Sequence, residues 1–448
     1  MIEALNSDCF CISLDREALR RALEADSAAR GLHQLIEERC PHLFAALPVF
    51  VSRRHVDQMA AAIRAVEAVI ALPAYREAAL AWAPEIARHN SGAAGAFIGY
   101  DFHLGADGPR LIEINTNAGG ALLNAILARA QRACCEEVEI LESGPVPAGA
   151  LERTLFDMFV AEWRRSGRAG LPRRIAIVDD APHQQFMYPE FLLFAQLFRR
   201  YGVEAAVLAP EQLAFEGGVL RDAQGPLDLV YNRLTDFAFD APGHAALRDA
   251  YLADAAVITP HPRAHALYAD KRNLSLLTDT ALLRAWGVPE SRVETLTRGI
   301  PKTEVVIASA AERLWSERRG LFFKPAAGHG SRAAYRGDKL TRRVWGEILG
   351  GTYIAQELVP PSNRSIAAGN VLKVDVRNYV YAGQVQLLAA RLYQGQTTNM
   401  RTAGGGFAPV LTSPQEGLPG GEADPGALSA RARRSDIPSC KAEHRADM

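Results

Sequence analysis

Cysteine is scarce in this chain of 448 residues, and the six present are poorly spaced for joint work. Cys9 and Cys11 are two apart, Cys134 and Cys135 are adjacent, and Cys40 and Cys440 stand alone, so no CxxC pair points to zinc or redox chemistry. Gap-filling small residues is the plainer reading. Long apolar runs are missing too: no segment approaches the roughly eighteen uninterrupted apolar residues of a membrane helix. Neither charge is in surplus. A formal net charge of -1 supplies no basic field for nucleic acid or an anionic membrane, although Arg431, Arg433 and Arg434 cluster locally. The opening MIEALNSDCFCISLD has neither the basic start nor the apolar stretch of a secretory signal, so a cytoplasmic location is expected. Finally, RRIAIV is followed by DDAPHQQ and not by GxGxxG, which argues against a dinucleotide-dependent dehydrogenase.

What remains is a chain that is 48% hydrophobic, enough for a sizeable core and two or three domains of an α/β protein. From Asp15 to Arg88 the apolar residues recur at helical spacing, as in QMAAAIRAVEAVIAL. Residues 96–115 read instead as two strand-like runs, AFIGYDFHL and RLIEIN, around a GADGP turn, which predicts a hairpin. Between 172 and 236, RRIAIVDD, EFLLFAQLFRRYG, EAAVLAP and LDLVYNR alternate strand, helix, strand and strand, the pattern of a small doubly wound parallel sheet. Arg233 ends one of its strands, at the edge where such sheets bind ligands. Residues 295–410 read as a mixed or antiparallel sheet, and the Gly, Pro and charge-rich 411–448 as a disordered tail.

The hairpin carries the first chemical signal. Side chains at i and i+2 of a strand share a face, so Glu113 and Asn115 point one way while Ile112 and Ile114 are expected in the core. With a turn centred near Asp107, Asp101 falls opposite Glu113. Two apposed carboxylates repel unless a cation sits between them, and a carboxylate pair with an amide oxygen suits a hard divalent ion that also binds phosphate. The alternative is an exposed polar face on an edge hairpin. Lys324, in LFFKPAAGHGSR, ends an apolar run just before a loop with Gly328 and Gly330, whose backbone N–H groups could fold over phosphate. Lys271 opens a helix in YADKRNLSLLTD. YIAQELVPP offers Glu357 and the backbone from Gln356 to Val359 at a strand end, a plausible adenine edge or simply a buried strand leaving the sheet. RTAGGGFAPV leaves two roles open for Gly404 to Gly406: approach to phosphate or acceptor, or a flexible exit from the last strand.

In conjunction, the DK before a helix, the strand-end Lys with its glycine loop, the QE strand end and the ExN of LIEINTNAGG resemble the ATP-grasp superfamily. The acidic hairpin precedes both lysines, which resembles the circularly permuted, glutathionylspermidine-synthase-like type. The resemblance implies a pre-ATP-grasp Rossmann-like domain plus a permuted ATP-grasp fold behind a helical N-terminal region. The divisions expected are 1–94 helical, 95–125 the metal-binding hairpin, 126–171 a helical connector, 172–260 the pre-ATP-grasp domain, 261–410 the nucleotide-binding region and 411–448 the tail.

It further implies ATP and Mg2+ as cofactors. Lys271, Lys324, Gly328, Gly330, Ser331, Gln356, Glu357 and Val359 would bind nucleotide, Asp101, Glu113 and Asn115 would hold metal, and Arg377 and Arg391 would act on the transferring phosphate or substrate. The function implied is an ADP-forming ligase joining small-molecule carboxylate and amine (or thiol) substrates, with no nucleic acid or membrane partner. A kinase with a hydroxyl acceptor and a non-catalytic nucleotide-binding module are the rivals. One departure stands out: many members carry an arginine two residues before the first metal aspartate, and here that position is Gly99, so Arg391 or Arg401 is expected to substitute or activity to be reduced.

Overall fold

The structure, a computed structural model, describes residues 2–10, 13–24, 31–132, 145–328, 333–366 and 370–412. It is an α/β protein whose chemistry-bearing residues lie on three sheets. The first is parallel, ordered Val257–Thr259, Leu229–Asn232, Arg174–Val178, Glu204–Leu208. Strand Arg174–Val178 is buried throughout, and its alternation divides cleanly. Ile175 and Ile177 pack with Phe191, Phe194 and Phe198 of helix Tyr188–Arg200, while Ala176 and Val178 pack with Leu247, Ala250 and Tyr251 of helix Ala245–Leu252. Helices on both faces explain why this strand reads as a continuous apolar run. An antiparallel meander, Ala214–Glu216, Val219–Asp222 and Gly225–Pro226, interrupts the unit where the sequence reading assigned no element.

A second, four-stranded antiparallel sheet runs Thr303–Val305, Tyr353–Glu357, Leu321–Pro325, Tyr335–Arg336. The third has seven strands. Its path is Val49–Phe50, Gly406–Leu411, Gln384–Tyr393, Val371–Tyr381, Ile98–Gly105, Gly108–Asn115, with Ser362–Ser365 also paired to Val371–Tyr381. The hairpin is thus sewn into a sheet made from the far end of the chain, with Asp101 beside Arg377.

Several expectations change here. The N-terminal region is not only helical, because Val49–Phe50 pairs with Gly406–Leu411. Its longest helix, Arg53–Ile70, is started by Ser52, whose hydroxyl accepts from the His55 N–H at 3.2 Å. Met59, Ile63 and Val66 of that helix share one core with Tyr100, Phe102, Ile114, Val374 and Val376, so the helix backs the site sheet. Gly406 begins a strand that runs through Leu411, past the point where the tail was expected, while 413–448 lie outside the described residues. A Cβ on Gly405 would meet the Leu392 carbonyl at 2.4 Å, and one on Gly406 the His42 carbonyl at 2.4 Å. Those glycines serve close backbone packing.

Two buried glutamates fasten the hairpin to the parallel sheet. Glu190, in the first turn of helix Tyr188–Arg200, accepts from the N–H groups of Gly120 and Leu122 at 2.8 and 3.0 Å, capping helix Ala121–Arg129. Glu162 accepts from Ala94 N, Gly95 N, Thr259 Oγ1 and Tyr381 Oη. Loop 115–120 is held at the carboxyl ends of the parallel strands by Arg233, which donates to the Asn117 carbonyl at 3.1 Å. Among the described residues, no helix is long and apolar enough to cross a membrane.

Candidate functional site

The hairpin turn contains two residues, Ala106 and Asp107, with Gly105 paired to Gly108. An unbroken ladder from that turn would set Asp101 opposite Ile112. The register instead shifts between Asp101 and Phe102, and the extra residue, Ile112, is a β-bulge that brings Glu113 opposite Asp101. The pairing expected from sequence is present for a reason the sequence reading did not contain. Ile112, expected in the core, is only partly buried and lines a cavity of about 370 Å³ between the four-stranded and seven-stranded sheets. Its carbonyl accepts a hydrogen bond from Lys324 Nζ at 2.7 Å.

Lys324 also donates to Gln356 Oε1 at 2.8 Å, and Gln356 Nε2 in turn donates to Thr303 Oγ1. Among the described residues, both hydrogen bonds of the ammonium go to neutral oxygens. Burial pulls its pKa down to about 8, Glu113 works against that shift, and the charge of Lys271 deepens it. Lys271 Nζ lies 3.2 Å from Glu113 Oε1 and donates to the Gly328 carbonyl at 3.0 Å. Gly328 holds φ +144°, where a side chain is strained, and it lines the cavity with both lysines. Glu357 lies at the same cavity with its carboxylate half exposed, accepting from Arg110 Nη2 at 3.0 Å. The Val359 carbonyl faces His103 Nδ1 at 2.7 Å. Gly330 and Ser331 lie outside the described residues.

On the seven-stranded sheet the charges are paired within the protein. Arg377 donates through Nε and Nη2 to both Asp101 oxygens at 2.6 Å, Arg391 Nη2 adds a bond at 2.8 Å, and Asn115 Nδ2 another at 3.0 Å. Three of these four donors converge on Oδ2, and Arg377 Nε alone meets Oδ1. Burial alone would raise the Asp101 carboxyl, but the two arginines outweigh it and hold it well below the usual carboxylate range. Asp101, expected from sequence to hold metal with Glu113 and Asn115, is engaged here by two arginines and by Asn115 itself. Asn115, by donating its amide nitrogen, turns Oδ1 away from Asp101. Among the described residues, no group of three or more His, Cys, Asp or Glu side chains is placed to hold a metal unaided.

Asp375, fully buried, accepts from Arg391 Nε at 2.7 Å and from Thr398 Oγ1, so it fixes Arg391 from behind; the sequence reading missed it. Arg401 is exposed and lines neither cavity. Gly99 has a positive reason to be glycine: a Cβ there would meet Ala118 Cβ at 2.7 Å and Arg377 Nε at 3.3 Å. Arg377 from the neighbouring strand fills the space beside it.

A second cavity, about 260 Å³, adjoins the first, and Lys271 and Gly328 line both. Its walls are loop 115–119 with Arg377 on one side and the carboxyl ends of two parallel strands, with Asp179 and Arg233, on the other. Burial raises the Asp179 carboxyl to about 7 against the opposing pull of Arg233 and the Asp180 N–H. His265 stacks on Phe237 with ring centroids 3.7 Å apart, lies 3.0 Å from Thr116 Oγ1, and is held down to about 4 by burial. Asp179 and His265 were unread in the sequence, although Asp179 stands at a strand end, the position that singled out Arg233.

The donor set fits a magnesium-bound polyphosphate. Two lysines that repel each other converge on one cavity, Gly328 at φ +144° borders it, and Glu113 with Asn115 Oδ1 provides hard oxygens. No family model and no curated protein sequence matches the chain. Among solved structures it is similar to a glutathione synthetase-like effector from Globodera pallida, at 11% identity, covering 88% of this chain and 97% of that one, with TM-score 0.49. A putative gamma-glutamylcysteine synthetase from Methylobacillus flagellatus aligns at 11% identity over 79% of this chain and 86% of its own, with TM-score 0.46. D-alanyl-alanine synthetase A from Vibrio cholerae aligns at 13% identity over 50% and 68%, with TM-score 0.27.

Proposed function

We propose that the protein is an ATP-grasp-type ligase of circularly permuted order, forming ADP and joining a carboxylate to an amine or thiol through an acyl phosphate. One observation carries the reading: Lys271, Lys324 and Glu113 converge at a cavity between two sheets that shares Lys271 and Gly328 with a second cavity, lined by Arg377. The hairpin preceding both lysines while pairing with Val371–Tyr381 supports the permuted order.

In this reading Lys324 and Lys271 hold the phosphates of ATP, with Gly328 at the loop above them. Gln356 orients Lys324, and the Glu357 to Val359 strand end meets the base and ribose. Magnesium, held on Glu113 and Asn115, would supply neutralisation of phosphate charge. Asp101 is assigned a different task from the one the resemblance implied: it fixes Arg377 and Arg391. Arg377 Nη1 carries no partner among the described residues, and it meets the substrate carboxylate. The carboxylate oxygen attacks the γ-phosphorus and the bond to the ADP oxygen breaks. The amine then attacks the acyl carbon, phosphate leaves with the C–O electron pair, and the nitrogen gives up its proton. No protein nucleophile is needed, because positioning and electrostatics supply the rate.

The test is product identity. With ATP, Mg2+ and pooled small carboxylates, the protein should release ADP and phosphate and, with hydroxylamine present, form a hydroxamate. AMP and pyrophosphate would reject the mechanism. A stable phosphorylated product without hydroxamate would select the kinase, and tight ATP binding without turnover the non-catalytic module.

A further inference from the structure

The parallel sheet places two oppositely charged side chains next to each other without joining them. Asp179 and Arg233 follow neighbouring strands, and the Arg233 N–H donates to the Val178 carbonyl at 2.8 Å, so the two positions are adjacent at the strand ends. Both residues are more than nine-tenths buried, and both line the second cavity. No direct ion pair links them. The Asp179 carboxylate accepts from the Asp180 N–H at 2.9 Å.

All the hydrogen bonds of the Arg233 guanidinium leave through one nitrogen: Nη1 donates to the Asn117 carbonyl and Oδ1 and to Tyr231 Oη. Among the described residues its Nε–Nη2 edge has no partner, and Nε is fully enclosed. That same edge is the one Arg377 and Arg391 turn to Asp101 and Asp375. An arginine edge of this kind matches the two oxygens of a carboxylate. Leaving it unused in a buried place is costly unless a ligand completes it. Gly119 leaves space beside Nη2, since a Cβ there would stand 2.9 Å from it.

We propose that the second cavity selects a free α-amino acid head, its carboxylate on Arg233 and its ammonium on Asp179. This rests on the ligase reading only in making that head one of the two substrates. In an α-amino acid the two charged groups are one carbon apart, and adjacent Arg and Asp side chains that do not pair with each other leave room for both. A simple amine or a simple carboxylate satisfies half of the site. The desolvated Asp179 carboxyl, raised to about 7, is a group that an arriving ammonium returns to its charged form.

Ligand-observed NMR on the full chain, without nucleotide, tests this with the twenty amino acids and their α-amides. At least one free amino acid should bind, its α-amide at least tenfold more weakly, and Asp179→Asn should weaken binding of the free acid at least tenfold. Arg233→Gln should do the same, and the unmodified protein's preference for acid over amide keeps the test decisive if that variant fails to fold. Equal binding of acid and amide, or no amino acid binding, or unchanged binding by Asp179→Asn, would overturn the proposal. A non-hydrolysable ATP analogue is titrated in parallel. Amino acid binding without analogue binding would remove the ligase reading and leave this one standing, whereas the reverse result would remove this one alone.

Discussion

On the seven-stranded wall of the cleft Asp101 takes four hydrogen bonds from Arg377, Arg391 and Asn115, while on the four-stranded wall the hydrogen bonds of Lys324 among the described residues go to the neutral oxygens of Ile112 and Gln356. Both walls bury charge. The first neutralises it internally and gains a fixed geometry; the second leaves a buried ammonium without a carboxylate hydrogen bond among the described residues. A buried ion pair broken on one side costs stability, whereas a cation whose desolvation outweighs the pull of nearby carboxylates costs stability while it is there. The same type of substitution should therefore act in opposite directions on the two walls.

The largest effect is expected at Asp101. Asp101→Asn leaves two arginines without their carboxylate and should lower unfolding free energy by about 3–5 kcal/mol, read by urea denaturation. A loss of well under 1 kcal/mol would break the comparison at once.

Lys324→Met is the matching change on the other wall, and it should cut ADP release by about a thousandfold. Unlike Asp101→Asn, it should raise the melting temperature without nucleotide. The sign follows from a folded pKa of about 8, below the unfolded value: the stability this group contributes is present above the unfolded value and lost as pH falls through about 8. The gain from Lys324→Met should accordingly be present at pH 7 and vanish above pH ~10. Melting curves at the two pH values check it, and a destabilised variant at pH 7 would count against a cation whose desolvation costs stability.

Glu113→Gln sharpens the comparison on the hairpin itself, because Glu113 faces Lys271 across the boundary between the walls. Magnesium-dependent turnover should fall about a hundredfold with little change in urea midpoint. Turnover equal to the parent would remove Glu113 from the proposed metal site.

Much of the site was legible because it is local. The i, i+2 spacing of Glu113 and Asn115, the strand-end Lys324 and the continuous apolar run of RIAIV each follow from backbone periodicity within a few residues. What was not legible depends on partners distant in sequence. The bulge at Ile112 has no glycine or proline to announce it. Asp375 is one more polar residue in VDVRNYV until Arg391 lies beside it. Gly99 looked like a missing arginine until Arg377 of the adjoining strand was seen to fill that space. The Gly404 to Gly406 run shows the reverse failure, since its composition suggests a ligand loop and its surroundings demand close backbone packing.

The bulge also bears on how this hairpin can change by insertion and deletion. Removing the one codon for Ile112 would give an unbroken ladder in which the residue opposite Asp101 is still the glutamate, because the turn pairs Gly105 with Gly108. The carbonyl that receives Lys324 would be gone. Opposed carboxylates and lysine docking are therefore separately heritable, and a related gene one residue shorter here would keep the acidic face while leaving its lysine to find another anchor.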